Sequence, residues 1–387
     1  MEVKLIRSKE GQKSYSELCK YCFNDSVGWT DRMFRGDAKK QSVYGAFEGK
    51  ALKSGIISRH FNVNLFGKMH AMSGISAVAS YPESRNRGYI RSLFKKILND
   101  ERNAGRTVSA LYPFSFAYYG NFGYGALEDY RHITVRPEDI LPFAGTKPLV
   151  PYDGSQAMFE DIKSIWNGYY GCFDFGSDRS DHTAEGFNDA ADFFKYRAYV
   201  AYKGKKPLGA IVYTLNIAGS YQSEIDISTL AWTDAAALPG IMGHLAAHRG
   251  QCAAIKGEFH SSVPMHLFTK EPRLPTGIIR SWMARPLNLE KILASKLKEQ
   301  KDFSPVTFSI EDPVIPEESG TYTVSPGSVK KKANTGEHAV PLSVFSSLLF
   351  GGMTPEEAYV SVCPERWILD AADFFKKRRR SYLNERF

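Results

Sequence analysis

The 387-residue chain is poor in cysteine and has no long hydrophobic run. Its five cysteines are too few for a disulfide framework in a chain of this length. Residues 1–7 lack the apolar core of a secretory signal, and the most apolar segment, 341–353, is shorter than the roughly 18 residues that span a membrane. We therefore expect a cytoplasmic protein with no membrane partner.

Neither charge nor composition indicates disorder. Apolar residues make up 43% of the chain and charged residues 24%, which is typical of a folded protein, and the length predicts two or three domains. Lys and Arg outnumber Asp and Glu by 50 to 42, a net charge of +8. This excess favours anionic partners, which include nucleic acid, a membrane surface or a phosphate-bearing cofactor.

Alternating apolar and polar residues predict a meander of strands in the first part of the chain. The expected strand segments are 2–7, 43–47, 54–58, 62–66, 70–80 and 107–111. Helices are expected at 15–34 and 88–104, the second stopped by Gly105. The strand at 70–80, the second helix and the strand at 107–111 form a strand-helix-strand unit.

The sequence contains an internal repeat. Residues 43–57 match residues 198–212 at a constant offset, so that Tyr44 corresponds to Tyr199 and Gly49 to Gly204. A strand, a helix containing Gly243 and another strand follow the second copy as they follow the first. The sequence therefore predicts two copies of one fold.

The pattern changes from about residue 285. A helix at 289–297 precedes strands at 306–310 and 321–324 and three apolar helical segments. We expect three domains with the ranges 1–145, 146–284 and 285–387.

The clearest candidate site is a basic turn between a strand and a helix. Arg85, Arg87 and Arg91 surround Gly88 at the start of the second helix. A helix N-terminus offers unpaired N–H groups and the positive end of a dipole, and glycine lets a bulky anion approach them. This order favours a pyrophosphate site over a solvated basic turn. At the same offset the second copy has Pro-Gly-Ile-Met at 239–242, so only the first copy is expected to bind a cofactor.

Three segments carry a family resemblance: 77–80, 85–91 and 118–125. They resemble the GCN5-related N-acetyltransferases (GNAT), and more closely the enhanced-intracellular-survival (Eis) type, in which two such folds precede a sterol-carrier-like (SCP2-like) domain. The resemblance implies an α+β fold class: tandem GNAT folds, each a mixed, mainly antiparallel sheet with helices, followed by an SCP2-like α+β domain. It also implies a homohexamer.

The resemblance further implies an acetyl-CoA-dependent N-acetyltransferase that uses no metal. A primary amine would attack acetyl-CoA directly in one ternary complex. The acceptor would be a small molecule, such as an aminoglycoside-like compound or a polyamine, or a peptide lysine. The implied cofactor-binding residues are Val78, Ala79, Ser80, Arg85, Asn86, Arg87, Gly88, Tyr89, Ile90, Arg91, Phe114 and Ser115.

Two catalytic residues follow from the same resemblance. Tyr119 matches the general acid that protonates the departing CoA thiolate, a task that a phenol with a pKa of ~10 can perform. The rival donors Tyr112, Tyr118 and Tyr124 stay open. The base would be the chain's own terminal carboxylate, on Phe387, which needs desolvation or a relaying water because its ordinary pKa is only ~3.5.

The acceptor and the wider function stay open. Asp25 and Trp29 are candidate amine-binding residues, although their segment also fits an ordinary helix end. Arg386, beside Phe387, would repel a polycationic amine. Two other functions compete: an apolar-ligand-binding protein with a vestigial acetyltransferase fold, and nucleic-acid binding through the basic run 376–380, which is more often a solvated helix face.

Two weaker patterns favour structural roles. Cys19 and Cys22 have metal-ligand spacing, but no second pair or nearby histidine completes a ligand set. His244 and His248 lie four apart on a predicted helix without the glutamate of a zinc-protease motif.

Overall fold

The computed structural model describes most of the chain. The described residues are 1–24, 34, 40–127, 130–141, 143, 148–182, 196–217, 222–279, 282–334, 336, 339–377 and 379–385.

Strands and helices alternate along the described part. The strands are β1 (Glu2–Leu5), β2 (Gln41–Glu48), β3 (Ala51–Leu65), β4 (Lys68–Ser80), β5 (Val108–Leu111), β6 (Gly125–Ala126), β7 (Tyr130–Val135), β8 (Val150–Pro151), β9 (Tyr196–Lys203), β10 (Lys206–Ile217), β11 (Ser223–Trp232), β12 (Cys252–His260), β13 (Thr276–Ile279), β14 (Met283–Pro286), β15 (Val306–Glu311), β16 (Gly320–Ser325), β17 (Ser328–Lys332) and β18 (Ala339–Pro341). The α-helices are α1 (Lys9–Phe23), α2 (Tyr89–Asn103), α3 (Phe116–Gly120), α4 (Gln156–Tyr170), α5 (Leu238–Ala246), α6 (Leu289–Glu299), α7 (Leu342–Phe350), α8 (Pro355–Ser361), α9 (Arg366–Asp370) and α10 (Ala372–Phe375).

The first sheet has the strand order β1-β2-β3-β4-β5-β14-β6. All neighbours are antiparallel except β4 and β5, which are parallel and connected through α2. Successive side chains of β3 point to opposite faces: Ile56 packs in one cluster with Leu93 of α2, and Ile57 packs in another with Tyr15 of α1. The two helices therefore cover opposite faces of the sheet.

The second sheet repeats this plan in the order β13-β7-β12-β11-β10-β9-β8, again with one parallel pair, β11 and β12. The hairpins of the two copies have the same register, because Tyr44 lies opposite Ile56 and Tyr199 lies opposite Ile211. The turn glycines also agree, with φ of 58° and 63°. The predicted repeat is confirmed.

Each sheet contains one strand that is out of chain order: β14 comes later in the chain than both of its neighbours, and β7 comes earlier than both of its neighbours. Strand β14 lies between β5 and β6, and β7 lies between β12 and β13. The compact units follow these sheets: one comprises Met1–Glu128, Asp174–Gly176 and Ser281–Phe387, and the other comprises Asp129–Phe173 and Ser177–Arg280. Strand β7 thus falls within the predicted range 1–145 but pairs in the second sheet. Where the functional domain boundaries lie stays a prediction.

The third sheet, β17-β16-β15-β18, belongs to the same unit as the first. Its apolar face is covered by aromatic packing, with the rings of Phe308 and Phe345 4.5 Å apart. The segment is mixed in helix and strand, and the expected α+β class is confirmed for the chain. No described helix is long and apolar enough to cross a membrane.

Two expectations about single elements are wrong. The segments 54–58 and 62–66 are parts of one strand, β3, and the chain turns only at Phe66 and Gly67, which have φ of 51° and 67°. The helix predicted at 15–34 starts earlier, after Ser8, whose side chain caps the first turn, and ends at Phe23. Buried side chains on both faces keep β3 continuous, and the cap fixes the helix start.

Candidate active site

Strand β4 loses one neighbour part of the way along its length. Its parallel pairing with β5 ends at Ile75, opposite Leu111. From residue 76 to residue 80, no described strand pairs with this side of β4. The free backbone N–H and C=O groups form an edge that an extended ligand can pair with. The predicted contacts on this edge are Val78, Ala79 and Ser80.

A β-bulge changes the direction of the backbone on the same stretch. Between the pairs Ser76–Ile57 and Ala79–Gly55, β4 has two residues where β3 has one. Ala77, the first of the two, has φ of 47°, a conformation that is uncommon for a residue with a side chain. Backbone strain of this kind concentrates at ligand sites.

Tyr15 of α1 holds the bulge in place. Its side chain is fully buried, and its hydroxyl donates a hydrogen bond to the carbonyl oxygen of Ala77. The ring fills the space beside Gly55, where a Cβ would overlap it. Burial raises the pKa of Tyr15 well above its ordinary value, so the hydroxyl stays a donor. The sequence analysis missed this residue; a glycine in the strand facing an aromatic helix was the available signal.

The basic turn before α2 has the backbone of an anion site. Asn86 and Gly88 have left-handed φ of 60° and 80°, and Gly88 is the N-cap residue of α2. A Cβ on Gly88 would meet no atom within 4 Å, so the space at this position is open. Arg85 and Arg87 are exposed. The turn therefore combines two exposed cations with the unpaired N–H groups of a helix start.

The three side chains in the first turn of α2 have different surroundings. The buried Tyr89 donates its hydroxyl to Glu48, and this hydrogen bond lowers the pKa of that carboxyl. Ile90 packs against the hydrophobic core, whereas Arg91 is exposed. Tyr89 and Ile90 thus offer the site backbone N–H groups, and Arg91 offers a charge.

Tyr119 lies in the short helix α3 and is 3% exposed. It belongs to the hydrophobic cluster that also contains Ile75 and against which Val78 packs. Burial raises its pKa, with a smaller contribution from Tyr118. Its hydroxyl makes no hydrogen bond to any described residue, so it is available to a ligand.

The two residues before α3 have different surroundings. Ser115 is the N-cap residue of α3, and its side chain accepts a hydrogen bond from the N–H of Tyr118 at 3.3 Å. Phe114 is 75% exposed and lies with its ring centroid 5.3 Å from that of Tyr119. Phe114 therefore offers a bare aromatic surface, while Ser115 has a structural task.

Two of the rival tyrosines are engaged elsewhere. Tyr124 is fully buried and shares a 2.7 Å hydrogen bond with the hydroxyl of Ser109. Tyr112 donates to the carbonyl oxygen of Glu385 at 2.8 Å. Tyr118 is half-buried, and burial raises its pKa. Among the four tyrosines, the geometry favours Tyr119 as the donor.

Residues from the third segment of the chain hold the loop that follows Tyr119. The hydroxyl of Ser346 donates to the carbonyl oxygen of Gly123 at 3.0 Å. The fully buried Arg285 donates to the carbonyl oxygen of Phe122 and pairs with Asp312. Because buried, charge-assisted hydrogen bonds hold this loop, it has little freedom to move.

Two buried polar atoms near the open edge make no hydrogen bond to the described residues. Ser76 is 8% exposed, and its hydroxyl makes no hydrogen bond to the described residues. The same is true of the buried Nε atom of Arg59. Burial lowers the pKa of Arg59 and the Glu385 carboxylate opposes that shift, so the two charges interact. Sequence patterns did not single out these residues, because neither belongs to a motif.

The weaker sequence patterns have structural explanations. Cys19 is buried in the core beneath α1, and Cys22 donates to the carbonyl oxygen of Ser80 at 3.6 Å. His244 and His248 both contact the hydroxyl of Tyr213 through Nε2, at 2.9 and 3.3 Å. In the described part of the chain no group of three or more His, Cys, Asp or Glu side chains is placed to hold a metal ion.

Four residues of the sequence analysis cannot be placed. Asp25, Trp29, Arg386 and Phe387 lie outside the described residues.

Comparison with known families agrees with this geometry. Residues 2–127 match an acetyltransferase (GNAT) domain model, residues 177–286 match a second such model, and residues 289–360 match a sterol carrier protein domain. The chain is a GNAT acetyltransferase of Eis-like domain order. The expected tandem GNAT folds, the SCP2-like third domain and the enzyme class, an acetyl-CoA-dependent N-acetyltransferase, are confirmed.

Solved structures have the same fold over nearly the whole length of this chain. A probable N-acyltransferase from Enterococcus faecalis is 23% identical with a TM-score of 0.76, covering 92% of this chain and 91% of its own. A GCN5-related N-acetyltransferase from Anabaena variabilis is 18% identical with a TM-score of 0.80, covering 98% and 99%. Eis1 from Mycobacterium abscessus is 16% identical with a TM-score of 0.79, covering 100% of both chains. No curated protein matches the sequence.

Proposed function

We propose that the first GNAT domain transfers an acetyl group from acetyl-CoA to a primary amine by direct attack in one ternary complex. The observation that carries this proposal is the continuity between the free edge of β4 and the basic start of α2. An extended ligand with amides along its arm and phosphates at its far end matches these two features in order.

Each part of acetyl-CoA would have a counterpart among these residues. Backbone groups of residues 78–80 would pair with the pantetheine arm, while the N–H groups after Gly88 and the side chains of Arg85, Arg87 and Arg91 would bind the phosphates. The exposed ring of Phe114 would pack on the cofactor. Acetyl-CoA supplies the activated acyl group and a thiolate leaving group.

The proposed chemistry balances with two proton transfers. The backbone N–H of Val78 donates to the thioester oxygen as negative charge develops there. The amine nitrogen forms a bond to the acetyl carbon while the carbon–sulfur bond breaks. The terminal carboxylate of Phe387 takes the proton that the amine loses, and Tyr119 gives its proton to the departing sulfur. With its ordinary pKa of ~10 Tyr119 is already protonated at neutral pH, as an acid must be, and burial raises that pKa further.

The end of the described chain supports the terminal carboxylate. The last described residue, Glu385, is hydrogen-bonded to Tyr112, which directly follows β5 where β4 and β5 separate. Two further residues reach at most about 7 Å. The proposal therefore requires the terminal carboxylate to act close to the place where Glu385 lies.

The proposal is tested by extending the chain with two glycines after Phe387 and measuring acetyl transfer to a panel of amines. We expect the extended enzyme to bind CoA normally by calorimetry but to lose most of its turnover. Its control is the same extension placed at the N-terminus. Full turnover in the C-terminally extended enzyme would contradict the carboxylate mechanism while leaving CoA binding untouched.

The alternative, an apolar-ligand-binding protein, has less support. A pocket partly open to solvent is lined by residues of α6, α7 and the C-terminal segment. Six of its eleven lining residues are charged: Asp174, Lys296, Glu299, Lys376, Lys377 and Arg379. A lipid tail placed there would desolvate these charges without pairing them.

The acceptor and the assembly are proposed on the resemblance. Candidate acceptors are aminoglycoside-like compounds, polyamines and peptide lysines, with Asp25 and Trp29 as binding residues. A homohexamer is checked by light scattering, and a cytoplasmic location by cell fractionation. No nucleic-acid partner is proposed; a steep salt-dependent affinity for DNA would contradict this.

A further inference from the structure

The C-terminal tail, residues 379–385, packs against the protein from Ser381 onward although it forms neither helix nor strand. Ser381, Leu383 and Glu385 are 0%, 1% and 7% exposed, whereas the residues between them are half-buried. Chain ends fray unless specific contacts hold them. This alternation shows that every second side chain of the tail is packed inside the unit that contains the first sheet.

Contacts fix the beginning of the tail. The N–H of Asp174 donates to the carbonyl oxygen of Arg380, and the N–H of Tyr382 donates to the carbonyl oxygen of Asp174, both at 2.8 Å. The hydroxyl of Ser381 donates to the carbonyl oxygen of Phe350 at 2.9 Å. The tail is therefore anchored before it reaches the first sheet.

Tyr112 holds the other end. Its hydroxyl donates to the carbonyl oxygen of Glu385 at 2.8 Å, with a longer contact of 3.4 Å to that of Leu383. Tyr112 is the residue after β5, at the point where the pairing of β4 with β5 ends. One hydroxyl thus ties the tail's last described residue to the open edge.

We propose that Tyr112 is a positioning residue that fixes the C-terminal tail beside the open edge of β4 through its hydroxyl. This assignment replaces its expected role as a rival proton donor. The consequence for catalysis rests on the proposed function, because the tail carries the carboxylate that would take the amine's proton. A reacting group displaced by about 1 Å can lose up to about 100-fold in rate.

The test compares Tyr112→Phe with Tyr202→Phe. Tyr202 is the matched control, because its hydroxyl also makes one part-buried hydrogen bond, to Asp161 at 2.7 Å, in the second sheet's unit. Each full-length protein is treated with a carboxypeptidase, and release of the last residues is followed by mass spectrometry. Thermal unfolding and the KM for acetyl-CoA are measured on the same samples, together with kcat.

Tyr112→Phe is expected to release its C-terminal residues at least about five-fold faster than the wild type and Tyr202→Phe. Its kcat should fall at least about ten-fold, while the KM for acetyl-CoA stays unchanged. Equal release rates in all three proteins would overturn the assignment. Faster release with an unchanged kcat would support the clamp and contradict the terminal carboxylate as base, so the two proposals fail separately.

Ser381→Ala provides an independent variant, because it removes the hydrogen bond to Phe350 at the tail's beginning and leaves Tyr112 unchanged. Faster release from this variant, with Tyr112 intact, is expected to be smaller than from Tyr112→Phe. A larger effect would overturn the claim that Tyr112 is the principal clamp.

Discussion

The two GNAT copies share a sheet plan but differ at the start of one helix. Helices α2 and α5 occupy the same place in the chain, each connecting a pair of parallel strands. Helix α2 begins after Gly88, and α5 begins after Ala237. Counted from these starts, Arg85 of the first copy corresponds to Asp234, and Arg87 to Ala236.

These differences lead us to expect that the second copy does not bind an anion at this place. The Asp234 side chain accepts a hydrogen bond from the N–H of Ala236 at 2.9 Å and caps the short 3₁₀ turn that leads into α5, so an acid stands where the first copy has Arg85. Leu238 is buried there, and Pro239 has no N–H to offer. A fold can thus keep its hydrophobic register while losing its ligand site, because packing and anion binding use different atoms.

Removal of the proposed acid should show the largest functional difference between the two copies. Tyr119→Phe should lower kcat about 100-fold, since a general acid contributes roughly 10²- to 10⁴-fold. Its counterpart in the second copy is the short turn Met265–Phe268, which follows β12 and whose titratable residue is His266. His266→Ala should leave kcat unchanged. Steady-state acetyl transfer measures both, and a Tyr119→Phe enzyme within two-fold of the wild type would rule out this acid.

Charge removal at the first helix start should come next in size. We expect Arg85→Ala combined with Arg87→Ala to raise the CoA Kd about 10- to 100-fold, because each arginine contributes charge-assisted hydrogen bonds to phosphate. Calorimetry at fixed salt gives the affinity. The control is Lys205→Ala, an exposed cation in the second copy. If both variants bound CoA equally, the site would be misplaced.

Gly125 lies in β6 and Gly277 lies in β13, which are edge strands of the first and second sheets, but the two glycines have different surroundings. A Cβ on Gly125 would overlap the backbone of Ser343 and Ser347 in α7, whereas one on Gly277 would meet its nearest atom, in His132, only at 3.8 Å. Gly125→Ala should therefore lower the free energy of unfolding by about 2 kcal/mol, and Gly277→Ala should not change it measurably. Urea unfolding measures both changes. Equal unfolding midpoints for Gly125→Ala and Gly277→Ala would contradict the close packing of Gly125 against α7.

An exchange of one proline should have the smallest effect. Ile90 and Pro239 occupy the second position of α2 and α5. Ile90→Pro removes one N–H from the first helix start and should weaken CoA binding up to about ten-fold, with the helix kept because proline is tolerated in the first turn. The reciprocal Pro239→Ile should leave CoA binding unaltered. An effect of Pro239→Ile as large as that of Ile90→Pro would show that the second copy takes part.

Local patterns predicted the parts of the fold that local physics determines. The 3.6-residue period and the glycines at both ends give α2, and the hairpin turns of both copies follow from one glycine each. The exchange of β7 and β14 was not predictable, because pairing between distant strands leaves no local pattern. The constant offset set residues 239–242 against the basic turn, whereas the helix starts align that turn with residues 234–236. The reason is related: the connection before α5 is shorter than that before α2.

The same difference between local patterns and distant contacts applies to the candidate site. The basic turn and Tyr119 belong to compact motifs and were predicted, whereas Tyr15 and Tyr112 act through single hydrogen bonds to distant backbone atoms. Sequence spacing carries no record of such contacts. The hydrogen bonds that hold the loop after Tyr119 could not be predicted from the sequence either, because they depend on the burial of Arg285 and Asp312.

The central claim is that the first copy alone binds the cofactor, and the number of CoA molecules bound per chain tests it most directly. Isothermal titration of the full-length protein with CoA should give one site per chain. The Arg85→Ala, Arg87→Ala variant should weaken that single site. A stoichiometry of two, or one site of unchanged affinity in the variant, would contradict the account.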